Sequence, residues 1–130
     1  MATVPASLKD KVPPHNDDAE VATLGALLLD SEALATVIRY LRPEDFYKSA
    51  HRRVYQAILN LFDRNEAIDL ITLTEELKNT SLLDGCGGPA YISRLTSAVP
   101  TSANVRYYAQ IVQDCSVRRS LARILSLIHI

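Results

Sequence analysis

Three of the four glycines in this chain, Gly85, Gly87 and Gly88, fall in LLDGCGGPAYISRL, residues 82–95, directly before Pro89 and a segment of helical spacing. Glycines that open a helix can hold a phosphate, because unpaired backbone N–H groups and the positive end of the helix dipole both face the anion. The chemistry would be nucleotide binding, and the neighbouring residues do not supply it. A G-x-x-x-x-G-K-[ST] loop needs a lysine on the phosphates and a hydroxyl on the metal. The four lysines, Lys9, Lys11, Lys48 and Lys78, all lie elsewhere. The dinucleotide pattern G-x-G-x-x-G needs a preceding strand and an acid about 20 residues on. Here Gly85-Cys86-Gly87 runs into Gly88-Pro89-Ala90, so the spacing fails and no strand pattern precedes it. The run reads as a joint: Gly85 ends a helical turn in the left-handed conformation, and Pro89 starts the next helix.

Other residues that could do chemistry are few. His51, Arg52 and Arg53 stand together at the start of a helical pattern. They form either a phosphate patch or a solvated face with His51 packed locally. Cations at that end of a helix are mildly unfavourable unless an acid lies opposite. Cys86 and Cys115 belong to no CxxC pair, and His15, His51 and His129 are scattered, so no metal site is expected. Both cysteines read as small, partly buried side chains in a reducing cytoplasm. The carboxylates Asp17, Asp18, Glu44, Asp45 and Glu75 sit at helix starts, where capping accounts for them. No catalytic residues and no bound cofactor are expected within the chain.

The elements that must position these residues all read helical. At 130 residues and 48% hydrophobic, with no Trp, the chain suits one globular domain with an aliphatic core. Residues 1–16, with Pro5, Pro13 and Pro14, read as a flexible arm without the apolar run of a signal peptide. Asn16, Asp17 or Asp18 then caps a helix through AEVATLGALLLD that is apolar nearly all round. Gly25 in its middle costs about 1 kcal/mol relative to Ala, which points to a close helix crossing. A short helix, EALATVIRYL, ends before Pro43, and a brief turn runs from Pro43 through Tyr47. From Ser49 the stripe Ala50, Val54, Ile58, Leu61 predicts a clean amphipathic helix, widened by Tyr55 and Phe62. The next helix opens at Asp69 or at the box Thr72-x-x-Glu75, burying Leu73 and Leu77. AYISRLTSA follows the glycines and closes at Pro100.

The last helix, starting near Ser102 to Asn104, changes face. Val105, Tyr108, Val112 and Cys115 form one stripe; Val117, Leu121, Ile124 and Ile128 form another. The step from Cys115 to Val117 turns the apolar side by roughly 200° at 3.6 residues per turn. One half can pack on the head, and the other needs cover from another helix. Self-association is therefore expected through Val117, Leu121 and Ile124.

Charge is uneven: residues 1–93 carry nine Lys/Arg against fourteen Asp/Glu, whereas residues 94–130 carry five arginines against Asp114 alone. The net charge of −1 speaks against strong nucleic-acid binding by the chain as a whole. The basic tail and a helix pair around DRNEAIDLITL leave a small helical DNA-binding domain as the alternative function. No apolar stretch approaches the ~20 residues of a membrane span.

Five stretches in order resemble the amino-terminal domain of the bacterial replicative DNA helicase, the DnaB family. They are P-P-H before an acidic helix start, D-F-Y before the helix at His51, D-L-I-T-L, G-G-x-x-Y-I and V-P-T-S-A-N-V-x-Y-Y-A, together spanning roughly residues 12–125. The resemblance implies an all-α fold, with a helical head over 17–101 and the first arm of a helical hairpin over 102–125. It implies a parent that is a hexameric, ATP-driven 5'–3' helicase on single-stranded DNA in the bacterial replisome. In such a parent, hairpins pair between neighbours into a collar, a trimer of dimers, that docks the DNA primase and can meet a helicase loader. ATP and Mg would belong to a carboxy-terminal motor, so this chain alone should not hydrolyse ATP. The resemblance places Tyr91, and on the arm Arg119 and Ala122, near the primase-docking surface. LSLIHI breaks the family pattern where the arm should continue, and residues 126–130 read as a foreign tail resembling translated adapter sequence.

Overall fold

The computed structural model describes residues 12–128. Most of the expected flexible arm, residues 1–11, and the last two residues of the expected tail lie outside that range. Among the described residues there are six α-helices and no strand. The helices are α1 (Asp17–Leu29), α2 (Leu34–Val37), α3 (Ser49–Asp63), α4 (Leu70–Asn79), α5 (Gly88–Thr96) and α6 (Val105–Ile128). Short 3-10 turns, Ser31–Ala33, Pro43–Asp45 and Asp84–Cys86, join them. No described helix is long and apolar enough to cross a membrane.

The core is built around α1. Asn16 caps it, its side-chain oxygen accepting from Ala19 N at 2.9 Å. Every residue from Ala22 to Leu28 is buried, with α6, α5 and α3 packed around the helix. Leu24 and Leu27 are fully enclosed, each contributing roughly 2 kcal/mol. Thr23 is satisfied internally, its hydroxyl donating to Ala19 O at 2.7 Å. Gly25 explains itself at the crossing with α5. A Cβ there would overlap the carbonyl oxygen of Leu95 and stand 3.3 Å from the Ala98 Cβ.

The expected helix over 32–41 is shorter than its spacing suggests. It starts as a 3-10 turn at Ser31, becomes α-helical only over Leu34–Val37, and buries just those two ends. On α3, Val54, Ile58 and Leu61 are buried as the stripe predicts, while Phe62 turns outward. Tyr55 fills the interior instead and donates its hydroxyl to Leu41 O at 3.0 Å; burial pushes that phenol well above its ordinary pKa. Asp69 is the cap of α4, exchanging bonds of 2.9 Å with Thr72 in both directions. The buried Glu76 of α4 pairs with Arg64 at 2.6 Å, and that guanidinium holds its carboxyl below the usual range.

Residues 13–16, grouped by sequence with the arm, lie against the head. His15 stacks on Tyr47 with ring centroids 4.1 Å apart.

Candidate interaction site

At the glycine run, the joint reading holds, with a shift of position. Gly87 (φ 92°) and Gly88 (φ 75°) adopt the left-handed conformation, whereas Gly85 does not. The backbone N–H groups of Cys86, Gly87 and Gly88 are already used. Gly88 N donates to Leu83 O at 3.0 Å, Gly87 N to Asp84 O at 3.1 Å, and Cys86 N to Leu82 O and Leu83 O. Pro89 has none to give. The carbonyls of residues 82–84 thus occupy the donors of the run itself.

The glycines do set the direction of α5, and with it the place of Tyr91. The Tyr91 hydroxyl meets Nε2 of His51 at 2.5 Å, and His51 Nδ1 meets Glu20 Oε1 at 2.6 Å. Glu20 Oε2 also accepts from Tyr47 N at 2.7 Å, just before α3 begins. His51 and Glu20 are buried, Tyr91 half-buried. The arrangement that satisfies every group has Tyr91 O–H donating to Nε2 and Nδ1–H donating to the Glu20 carboxylate. Glu20 therefore supplies from α1 the negative charge that the N-terminus of α3 favours. Burial raises the Tyr91 phenol pKa.

This network dissolves the expected patch at residues 51–53. His51 is enclosed by residues 31 and 40 positions away, so its packing is long-range rather than local. Arg52 donates to Phe46 O at 3.0 Å and Tyr47 O at 2.7 Å. Only Arg53 of the three faces outward.

On α6, Val105, Ala109, Val112 and Cys115 are buried against the head; Tyr108 is only half-buried, and Ala109 takes the inner place. Beyond Cys115 the apolar side of the helix faces solvent, while Ser116, Arg119 and Ser120 stay half-buried beside the head. Val117, Leu121 and Ile124 are 52%, 54% and 50% exposed. A groove of about 1490 Å³ opens beside this half, walled by residues 12–14, by the segment from Arg42 to Arg52 and by α6 from Ser116 to Arg123.

Residues 12–114 match the family described as DnaB-like helicase N terminal domain. The chain belongs to this family. It is 47% identical over 121 residues to the replicative DNA helicase DnaB of Treponema pallidum, covering 93% of this chain and 28% of that protein. It is 47% identical over 116 residues to the replicative DNA helicase DnaC of Bacillus subtilis, covering 89% and 26%. The chain thus spans about a quarter of the length of these relatives. In structure it resembles the N-terminal domain of DnaB helicase from Mycobacterium tuberculosis, with a TM-score of 0.88, 43% identity, and coverage of 90% of this chain and 81% of that one. It shares the fold of the N-terminal domain of DnaB helicase from Helicobacter pylori, described together with its interactions with primase; the TM-score is 0.74, identity 18%, and coverage 99% and 96%.

Against that DnaB-type frame, the residues singled out from sequence fall into two places. Arg119 and Ala122 line the groove together with Val117 and Leu121 of the apolar stripe, and Ile124 follows on the exposed half of the same helix. Tyr91 is not among the groove-lining residues. It reaches inward to His51, and its ring has the Arg94 guanidinium 5.7 Å from its centroid. The aromatic ring near Arg119 is Tyr47, at 5.5 Å. Glu20, His15 and Tyr47 were missed as organising residues. The P-P-H and D-F-Y stretches contain two of them, but nothing in their spacing shows that they touch.

Proposed function

We propose that the chain is the amino-terminal collar part of a hexameric replicative DNA helicase, where it joins subunits and docks the primase. One observation carries the reading: the apolar stripe Val117, Leu121, Ile124 on a continuous helix whose inner half is packed and whose outer half leaves that stripe uncovered. Burying each of these side chains fully contributes roughly 2 kcal/mol. Three such contacts stand against an association cost of about 4–15 kcal/mol, so one stripe pairs weakly. Within the parent, pairing would build dimers and a trimer of dimers. A carboxy-terminal motor would supply ATP and Mg chemistry on single-stranded DNA in the bacterial cytoplasm, where a loader could also engage.

Sedimentation at rising concentration tests the pairing. The weight-average mass should climb above the 14.4 kDa of the monomer, and the double variant Leu121→Glu, Ile124→Glu should stay monomeric with an unchanged melting temperature. A parent chain that remains monomeric throughout, or a variant that associates equally, would sink the reading.

The primase reading is supported by the Helicobacter pylori relative and by the groove beside the arm. Ala122 offers a gap in that wall for a partner side chain, Arg119 shapes it, and the half-exposed ring of Tyr91 is the third contact. Ala122→Tyr should weaken binding of a primase carboxy-terminal domain by about tenfold or more, as loss of a hot-spot contact does. Because position 122 is exposed, melting should not change. Unaltered affinity would move the docking surface elsewhere.

A further inference from the structure

The outer half of α6 makes no core contact beyond Cys115, yet it leaves the head at a point where several polar contacts converge. Ser116 Oγ donates to Asp45 Oδ1 at 2.7 Å. Arg119 Nη2 donates to Asp45 O at 2.6 Å, and Arg119 Nη1 donates to Pro14 O at 2.9 Å. The same guanidinium lies 5.5 Å from the centroid of the Tyr47 ring on which His15 stacks. His15 is itself tied back, with Nδ1 2.8 Å from Pro13 O and Nε2 3.4 Å from Asp17. An arginine late in the chain therefore grips the backbone on the N-terminal side of α1 and the backbone before α3 at once.

A fork of rigid N–H donors suits this task, since two carbonyls from different segments can be held in one plane. A solvated surface arginine would not order two separate backbones. We propose that Pro13–His15 and Arg119 form a latch that fixes the angle at which the outer half of α6 leaves the head. The latch stands whether or not that half pairs with another subunit or with primase. Arg119 and His15 are positioning residues, acting on the arm through the strap between them.

Hydrogen exchange of the whole 130-residue chain tests the latch. Arg119→Ala and His15→Ala should each speed exchange of amides in residues 117–122 by about tenfold through local opening. Amides of Val54–Leu61 in the head should be unaffected. Combining the two should add no more than about twofold, because parts of one device are not additive. Arg123→Ala, one turn on and without a hydrogen-bond partner among the described residues, is the control and should change little. The latch is overturned if Arg119→Ala behaves like Arg123→Ala, if the two single effects multiply, or if head amides accelerate equally. That last pattern would mean general destabilisation.

Discussion

Glu20→Ala should lower the melting temperature by about 15 °C, the largest effect expected of any single change here. The substitution removes one buried carboxylate and strands three donors: His51 Nδ1, Tyr47 N and, more distantly, Lys48 N at 3.4 Å. Leaving the buried donors of His51 and Tyr47 without an acceptor costs about 1–3 kcal/mol each, roughly 4 kcal/mol together. A domain of this size loses roughly 3–6 °C per kcal/mol. Glu20→Gln should do less harm, since one amide oxygen can still accept from Tyr47 N or from His51, though not from both. Tyr91→Phe removes only the hydroxyl at the outer end of the network, costing about 1–2 kcal/mol for a buried acceptor left unmet. Thermal unfolding of the three variants should rank them in that order. If Glu20→Ala melts within about 3 °C of the parent, less than 1 kcal/mol on the same scale, the network does not hold α3 against α1.

Gly25→Ala comes second, at about 10 °C. Alanine would ordinarily strengthen a helix interior by about 1 kcal/mol. Here the new methyl meets the Leu95 carbonyl oxygen, a backbone atom of α5 that no rotamer change can move aside. Overpacking against such a wall costs about 3 kcal/mol, the upper part of the usual range, leaving a net loss of roughly 2 kcal/mol after the helix gain. Ala98→Gly clears only the second contact, at 3.3 Å, and should restore a minor part of the loss. A Gly25→Ala protein that melts like the parent would show that α1 and α5 can separate at no cost.

Periodicity and turn chemistry locate most of the head, because caps, prolines and stripes are local signals. Asn16, Asp69, Pro43 and the Val54–Ile58–Leu61 stripe sit where their types require. The two-faced final helix is equally legible: the break at Cys115–Val117 in the sequence is the boundary between buried and exposed in the structure. What sequence hides is the long-range part. Glu20 in a first helical turn looks like an ordinary dipole partner for its own helix, and nothing nearby reveals that it serves α3. The grip of Arg119 is invisible in the sequence, because its acceptors are main-chain carbonyls, which leave no trace in residue identity. The glycine run shows a milder form of the problem. Composition marks a left-handed joint, but which glycine turns depends on the carbonyls of residues 82–84, and these select Gly87 and Gly88 over Gly85.

The central position of α1 also bears on how the chain is made. Of the described helices it is the first to be synthesised, yet α5 and α6, which close over it, begin at residues 88 and 105. At about 5–20 residues per second on the ribosome, this helix, apolar on nearly every side, waits some seconds for its cover. During that interval its apolar surface lacks the cover that α5 and α6 give it in the finished fold. Its acidic opening, Asp17, Asp18 and Glu20, is the charged end of that apolar segment, and of the three only Glu20 is enclosed once His51 is in place.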